Sequence, residues 1–215
     1  MGVIVYGDKS YTGAGVLVVE DYRKDGERIP CVLIARNKSS QKSSDFGGSY
    51  ETSHKSISVT ASKELLEESC NLINVKSEIL EKSNSIDIDG YRNTFYRVYV
   101  IKAQNISSKY FNNNKTIINE HPDSKRQWKE TDKIYHIPIS NIDFDTLLLR
   151  KTIVVKDVNG DNVILDMRLR KVLKSGEDII RATINESPII TKKNLVKIDS
   201  GKPFLIGTHQ FYAKD

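Results

Sequence analysis

The sequence predicts an α/β domain in which strands precede and follow an amphipathic helix. Two Val-rich apolar runs, Ala14–Glu20 and Cys31–Arg36, are separated by a charged turn and are typical of a buried strand pair. From Ser56 onward, apolar residues recur every four positions, which indicates a helix with one face in a core. The stretch Asn93–Lys102 is rich in aromatic and β-branched residues, which favours a further strand.

The composition is that of an ordinary globular protein. Of 215 residues, 38% are hydrophobic and 28% are charged, which suits one sizeable domain. The net charge of +5 favours polyanionic partners such as nucleotides, RNA or inositol phosphates, but a Lys-rich and Asn-rich composition explains it equally well. Cys31 and Cys70 are expected to be reduced core residues. Because no leader pattern or membrane-spanning run is visible, we expect a cytoplasmic protein without membrane contact.

The second half of the chain predicts further strands and loops. The Asn-rich stretch Gln104–Lys115 predicts a surface loop, and Trp128 precedes an Ile, Tyr and His strand. Asn141–Leu149 predicts a short helix or a turn. Lys151–Asp166 predicts a hairpin, because Asn159-Gly160 suits the positive φ of a type I′ turn.

A short basic helix, Met167–Lys174, is predicted after the hairpin, with Leu169, Val172 and Leu173 facing inward. Its basic residues either form a solvated face, which is the favoured interpretation, or line the way into a site for a phosphate-rich ligand. These residues are Arg168, Arg170, Lys171 and Lys174.

Chemistry is concentrated in Phe46–Leu72, which contains a Gly-Gly turn, a polar loop and an acidic helix. Glu64, Glu67 and Glu68 stand at i, i+3 and i+4, so a helix projects all three carboxylates from nearly one side. One interpretation is an ordinary solvated helix face. The other is a partial cage for a hard divalent ion such as Mg²⁺, which prefers oxygen ligands and relieves the repulsion.

This stretch resembles the Nudix box, whose usual form is G-x5-E-x7-R-E-U-x-E-E-x-G-U with U a bulky aliphatic residue. Gly48 matches the glycine, Glu64 the Glu of the R-E pair and Leu65 the aliphatic position, and Glu67 and Glu68 match the E-E pair. The order of a strand pair, a Gly-Gly turn and a helix is also that of the start of a Nudix fold. The resemblance therefore implies an α/β Nudix fold, with a mixed β-sheet sandwiched between α-helices and a C-terminal extension.

Four features depart from the box. The first Glu position falls on His54 or Lys55, according to the end from which it is counted, so the loop is one residue longer and lacks that acid. Lys63 replaces the Arg and loses its planar bidentate fork. Cys70 replaces the terminal Gly, and Asn71 replaces the aliphatic residue after it. The metal positions of the box are intact and its structural positions are not.

The resemblance implies a hydrolase that cleaves a diphosphate linkage, with Glu64, Glu67 and Glu68 holding Mg²⁺ or Mn²⁺. The longer loop resembles that of the RNA-decapping and inosine-diphosphate-hydrolysing subgroup. Together with the basic charge, this favours capped RNA or nucleoside-diphosphate-linked substrates over sugar nucleotides.

Other residues of the box are expected to contact the substrate or shape its site. Gly47 and Gly48 shape the turn, and Lys63 orients the loop by pairing with a carboxylate. Tyr50, beside the turn, is a candidate for stacking on a nucleobase. His54 either contacts a phosphate or acts in proton transfer, although a loop histidine is more often simply exposed.

The proton acceptor is left open among several acids. Glu67 is one candidate. In Nudix proteins a further carboxylate from a nearby loop often completes the site, and Glu120 is the first candidate for it here, followed by Glu130. Both are equally well explained as solvated loop acids.

We expect the domain to span residues 1–190 and the extension, 191–215, to pack on it as a hairpin or as a homodimer contact. Two other functions stay open. The departures at His54, Lys63 and Cys70 suit a Nudix-fold protein that binds nucleotide or RNA without hydrolysis. The extension suits a protein-interaction module.

Overall fold

The structure is a computed structural model that describes residues 2–104, 106–121, 126–191, 195–196, 198, 203–206 and 209–212. Its strands are β1 (Ile4–Tyr6), β2 (Lys9–Lys24), β3 (Glu27–Asn37), β4 (Ser43–Ser44), β5 (Phe46–Ser49), β6 (Asn84–Asp89), β7 (Phe95–Ala103), β8 (Thr131–Pro138), β9 (Ile153–Lys156), β10 (Asn162–Leu165), β11 (Pro203–Ile206) and β12 (His209–Tyr212). Its helices are α1 (Ile57–Glu68), α2 (Ser77–Leu80), α3 (Ser108–Glu120), α4 (Met167–Ser175) and α5 (Glu177–Thr183), with 3-10 turns at Arg126–Lys129 and Ile139–Asn141.

The long strand β2 is the centre of a mixed sheet in the order β6-β7-β2-β3-β4-β10-β9. It runs parallel to β7 and antiparallel to β1, β3 and β5, and β8 pairs with β3. Side chains alternate along a strand, so Val16 and Val18 face the core beneath α1 and α3, whereas Leu17 and Val19 face the core beneath α4 and α5. The predicted mixed sheet between helices is confirmed.

The stretch predicted as a loop, Gln104–Lys115, is mostly helix, and that prediction is wrong. Helix α3 begins at Ser108 and continues to Glu120. Phe111, Asn114 and Ile118 are buried on one face, at i, i+3 and i+7. Asparagine is a weak helix former, but the burial of this face outweighs its low propensity.

The predicted hairpin is present, but its turn type is wrong. Strands β9 and β10 pair from Lys156 opposite Asn162 to Ile153 opposite Leu165, which leaves a five-residue loop, 157–161. Only Gly160 of this loop has positive φ, at 87°. The carboxylate of Asp157 accepts the N–H groups of Asn159 and Asp161, both at 2.9 Å, so the loop is closed by a side chain.

The basic helix is also present as α4, and Leu169, Val172 and Leu173 are buried as predicted. The solvated face predicted for its basic residues is wrong at Arg170, which is 2% exposed. Its guanidinium donates to the carbonyls of Leu147, Arg150 and Lys151 and so holds the turns before β9.

The beginning of the C-terminal extension is hydrogen-bonded to α3 and to the end of the box. The Val196 N–H donates to the Leu72 carbonyl at 2.9 Å. The Asn114 amide donates to the Val196 carbonyl at 2.8 Å and accepts the Ile198 N–H at 2.9 Å. Strands β11 and β12 form a separate two-stranded sheet. None of the described helices is long and apolar enough to cross a membrane.

A polar cluster ties β6 to β7 and to β2, and it should make the fold sensitive to acid. Asp87 accepts hydrogen bonds from Arg97 at 2.8 Å, Lys9 at 2.9 Å and Tyr11 at 2.8 Å. Burial acts to raise the pKa of Asp87, but these donors outweigh it and lower the pKa from 3.8 to about 2. The cluster therefore contributes stability above pH 3.8 that is lost as the pH falls towards 2.

We expect Asp87→Asn to reduce the free energy of unfolding at neutral pH by about 2 kcal/mol, because each pKa unit corresponds to about 1.4 kcal/mol. The wild type should lose this increment on acidification, so the two curves of stability against pH should converge near the lower pH. Urea unfolding at several pH values measures this. Asp8→Asn, at an exposed carboxylate, is the matched control, and parallel curves for wild type and Asp87→Asn would contradict the prediction.

Candidate active site

The box places its acidic helix directly against its Gly-Gly strand. β5 pairs with β2, with Gly47 opposite Gly15 and Gly48 opposite Ala14. Helix α1 begins after Ser56, whose side chain caps it by accepting the Val59 N–H. The box helix buries Ile57, Ala61 and Leu65, which fixes its rotation on the sheet. Glu64, Glu67 and Glu68 are half-buried, and Glu64 and Glu68 reach β5 at Gly48 and Gly47.

The two glycines of the turn are required by the close approach of other elements to β5, namely α1 at Gly48 and β2 and β7 at Gly47. A Cβ added at Gly48 would lie 2.4 Å from the Glu64 carboxylate. A Cβ at Gly47 would lie 2.1 Å from the Tyr96 hydroxyl and 2.5 Å from the Gly15 Cα. The Gly47 N–H also donates to Glu68 at 2.6 Å. Two of the three carboxylates therefore lie against the turn. Glu64 packs on Gly48, and Glu68 accepts a hydrogen bond from Gly47.

A cation from α4 lies beside this acidic group. The Arg168 guanidinium donates to the Asp45 carboxylate at 2.9 Å and to the Gly47 carbonyl at 3.0 Å, and it lies 4.7 Å from the ring centre of Tyr96. Asp45, which is 1% exposed, also accepts the Tyr96 hydroxyl at 3.3 Å. The solvated position favoured for Arg168 is therefore wrong. Its side chain holds the backbone of Gly47, whose N–H group donates to Glu68.

The pKa values of the Glu64 and Glu68 carboxyl groups are raised in this site. Burial raises the pKa of Glu64 to about 8, the charge of Glu67 adds to the shift, and Arg168 opposes it. Burial likewise raises the pKa of Glu68 well above its usual range, although Arg168 opposes this too. The charged forms are disfavoured chiefly by burial, and Arg168 offsets only part of this effect. The arrangement is therefore one that additional positive charge would stabilise.

The two loop acids are placed differently. Glu130 follows the 3-10 turn Arg126–Lys129, which packs on α1, and its charge acts on Glu64. Glu51, from the loop of the box, acts on Glu64 in the same way. Glu120 is exposed at the last position of α3 and is not among the principal charges that act on Glu64 or Glu68. Of the two predicted candidates, Glu130 is the one whose charge acts on Glu64.

The loop of the box is held by two residues that we predicted as substrate contacts. Tyr50 is 8% exposed and its hydroxyl donates to the His54 carbonyl at 2.9 Å. His54 is 4% exposed, and its Nδ1 lies 2.9 Å from the Thr60 hydroxyl. Burial and the charge of Lys63 lower the pKa of His54, so its imidazole is neutral at pH 7. Both residues are therefore buried within the lengthened loop, where their hydrogen bonds hold its structure.

Lys63 is exposed, and the carboxylate pair predicted for it is not formed with any residue in the described ranges. At the other end of the helix, Cys70 and Asn71 have positive φ values of 52° and 59°. The helix thus ends in the left-handed conformation that usually favours glycine, although Cys70 replaces it. Cys70 is a free, buried thiol, and burial raises its pKa to about 12, which excludes it as a nucleophile at neutral pH.

The donor set suits a hard divalent cation. Glu64, Glu67 and Glu68 supply carboxylate oxygens that are half-buried and repel one another, which is the chemistry that Mg²⁺ or Mn²⁺ requires. Among the residues that the structure describes, no three Asp, Glu, His or Cys side chains are arranged as a complete metal cluster. Glu68 instead points to the Gly47 N–H.

Two residues of this site, Asp45 and Tyr96, were missed by sequence reasoning, and Arg168 was named only under the less favoured interpretation of its helix. Asp45 precedes the box and Tyr96 lies in β7. Arg168 lies on α4, and its place in the site depends on the tertiary packing of α4 beside β4 and β5. A weak signal was present for Asp45, because an acid directly before a buried Phe-Gly-Gly run requires a partner.

No family model matches the sequence, and no curated protein matches it at a significant level. Among solved structures, the chain is similar to a MutT/nudix family protein from Enterococcus faecalis, with 12% identity, 84% of this chain and 66% of that chain covered, and a TM-score of 0.44. It is similar to one from Listeria innocua, with 11% identity, coverage of 81% and 96%, and a TM-score of 0.42. It is also similar to an Ap4A hydrolase of C. elegans in a binary complex, with 11% identity, coverage of 58% and 77%, and a TM-score of 0.36.

The first two of these solved structures carry the name of the family that residues 46–72 resemble. The Nudix resemblance implies a strand pair, a Gly-Gly turn and an acidic helix on a mixed sheet between helices, and this is the order of elements that the chain has.

Proposed function

We propose that the chain is a Nudix-type hydrolase that uses a divalent cation to cleave the diphosphate linkage of a nucleoside-diphosphate-linked substrate. The observation that carries the proposal is the group of Glu64, Glu67 and Glu68 beside the Gly47-Gly48 turn. Burial and mutual repulsion hold the pKa of Glu64 at about 8, so the site favours the arrival of positive charge.

The three carboxylates of α1 would hold Mg²⁺ or Mn²⁺. When bound, such an ion neutralises phosphate charge and lowers the pKa of a coordinated water. The chain itself orients the carboxylates: the Gly47 N–H fixes Glu68, and Arg168 fixes the Gly47 carbonyl. Glu130 is our proposed proton acceptor, because it is an exposed loop acid whose charge acts on Glu64.

The proposed substrates are capped RNA or nucleotides with a diphosphate linkage. This part rests on the net charge of +5 and on the lengthened loop of the box. We also propose a cytoplasmic location and a homodimer, and light scattering of the purified chain tests the latter.

A second candidate function is binding of a nucleotide or RNA without hydrolysis. Arg168 favours it, because its guanidinium already supplies part of the positive charge that Glu64 and Glu68 require. The neutral, buried His54, one of the two residues on which the first acid position of the box falls, also favours binding without hydrolysis.

The two functions are separated by assaying product release from a panel of substrates with and without Mg²⁺. The panel contains capped RNA, nucleoside di- and triphosphates, ADP-ribose, dinucleoside polyphosphates and inositol pyrophosphates. Turnover that requires Mg²⁺ supports the hydrolase and identifies its substrate class. Absence of turnover across the panel, from a protein that binds one of these ligands in a direct titration, supports the second candidate.

The two loop acids give a paired test of the proton acceptor. We expect Glu130→Gln to lower kcat by about 100-fold or more, the usual range for loss of a general base, with little change in KM. Glu120→Gln is the matched control, because Glu120 is also an exposed acid and ends α3, the helix that precedes β8. Steady-state kinetics on the best substrate of the panel measure both variants. The reverse order of effects would assign the role to Glu120.

A further inference from the structure

A second group of chemically reactive side chains lies on the α3 side of the sheet and shares no residue with the acidic site. Glu20 is in β2 and His136 is in β8, the two strands that flank β3. Ser108 is the first residue of α3, which packs against β8. Three separate elements therefore bring a carboxylate, an imidazole and a hydroxyl together.

The three side chains are hydrogen-bonded in the order Glu20, His136 and Ser108. His136 Nδ1 hydrogen-bonds to Glu20 Oε1, and His136 Nε2 lies 2.9 Å from Ser108 Oγ. The other oxygen of Glu20 accepts the Ile106 N–H at 2.8 Å, which holds the carboxylate in place. With a proton on Nδ1, facing Glu20, the Nε2 atom is the acceptor for the Ser108 hydroxyl. This is the order of acid, imidazole and nucleophile in Ser-His-acid hydrolases.

The three residues differ in solvent exposure in the way that such a relay requires. Glu20 is 0% exposed and His136 is 2% exposed, whereas Ser108 is only half-buried. Tyr22 covers the imidazole, with 4.6 Å between the ring centres. A carboxylate in a dry site holds an imidazolium strongly, because little water competes for either charge. Ser108 is therefore the most exposed of the three residues.

Helix α3 adds a second requirement of the chemistry. No side chain caps it at Ser107. The first N–H groups of a helix have no partners within the helix, and they carry the positive end of its dipole. Ser108 is located at this end of a 13-residue helix. Negative charge that develops on an oxygen bonded to an atom attacked by Ser108 would therefore be stabilised by backbone donors.

We propose that Ser108, His136 and Glu20 form a second, metal-independent nucleophilic site that takes carboxylic esters. Ser108 Oγ bonds to the ester carbonyl carbon while its proton passes to His136 Nε2, and Glu20 stabilises the resulting imidazolium. The ester C–O bond then breaks, and the leaving alcohol takes the proton from Nε2. Water attacks the acyl-serine, gives a proton to Nε2, and releases the acid as that proton returns to Ser108.

A fluorophosphonate tests the nucleophile directly, since attack of Ser108 Oγ on phosphorus forms an O–P bond and expels fluoride. We expect the folded wild type, without added metal, to acquire one adduct, which peptide mass spectrometry locates at Ser108. Ser107→Ala should label at the wild-type rate, and Ser108→Ala should lose the adduct. His136→Gln and Glu20→Gln should each slow labelling by at least about 100-fold. Release of nitrophenol from a short-chain nitrophenyl ester should follow the same ranking.

The same contacts would also be present if the group only held α3 to the sheet, and labelling separates the two roles. Thermal unfolding identifies any variant that fails to fold, and the two buried positions provide independent tests of the relay. Absence of an adduct at Ser108 in the folded wild type would overturn the proposal. Labelling of a folded His136→Gln or Glu20→Gln variant at the wild-type rate would overturn it as well.

Discussion

Replacing Glu68 by Gln is expected to lower Mg²⁺-dependent turnover by at least about 100-fold while leaving the fold at least as stable as the wild type. The loss in rate reflects removal of a direct ligand, which should cost no less than the loss of an outer partner at a metal site. The gain in stability follows because burial disfavours the charged form of Glu68 even beside Arg168. The amide oxygen still accepts the Gly47 N–H.

Thermal unfolding with and without Mg²⁺ completes this test. Mg²⁺ should raise the midpoint of the wild type and have a smaller effect on Glu68→Gln, since a ligand stabilises only the state that binds it. Glu78→Gln, at an acid on α2, is the control and should behave as the wild type. A Glu68→Gln enzyme with full activity would show that this carboxylate is not part of the metal site.

Replacing Gly47 by Ala is expected to destabilise the protein by about 3 kcal/mol or more, the upper range for overpacking a core. The new methyl group would meet the Tyr96 hydroxyl at 2.1 Å, the Gly15 Cα at 2.5 Å and the Ala14 carbonyl at 2.7 Å. Two of these atoms are backbone, so β5 must move away from β2. The midpoint of thermal unfolding should fall by roughly 10 °C, at 2–4 °C per kcal/mol for a domain of this size.

Gly48→Ala is the matched comparison for this prediction. Its methyl group would meet only the mobile end of Glu64 at 2.4 Å, so the side chain is able to turn away. We expect a cost of less than about 1 kcal/mol but a marked fall in turnover, because Glu64 is displaced from the site. Equal stability of the two variants would contradict the packing of β5 against β2 described above.

Much of the fold was predictable because its signals are local. Strands β2 and β3 were predicted correctly from their valines, and α1 from its repeating apolar residues. Each of these patterns arises because one face of a single element is buried. Helix α3 was missed because its pattern of Phe111, Asn114 and Ile118 uses a buried asparagine. The partners of that asparagine, Val196 and Ile198, lie far along the chain.

The site was predictable in part for the same reason. The acids of α1 share one helical face, so their proximity follows from sequence spacing alone. Arg168 and Asp45 are more than a hundred residues apart, and no periodic pattern relates them. The carboxylate pair expected at Lys63 is formed instead by Arg168, which is partly buried and pairs with Asp45. A relay such as that of Glu20, His136 and Ser108 likewise depends on the pairing of β2, β3 and β8.

The most direct test of the metal site is a titration of the protein with Mn²⁺ followed by electron paramagnetic resonance, with and without ADP. Free Mn²⁺ has a sharp spectrum that broadens on binding, so the bound fraction is measured without reference to turnover. The wild type should bind Mn²⁺ in competition with Mg²⁺, and Glu64→Gln should bind it far more weakly. A wild type that leaves the free signal unchanged, alone and with ADP, would contradict the assignment of α1 as a divalent-cation site.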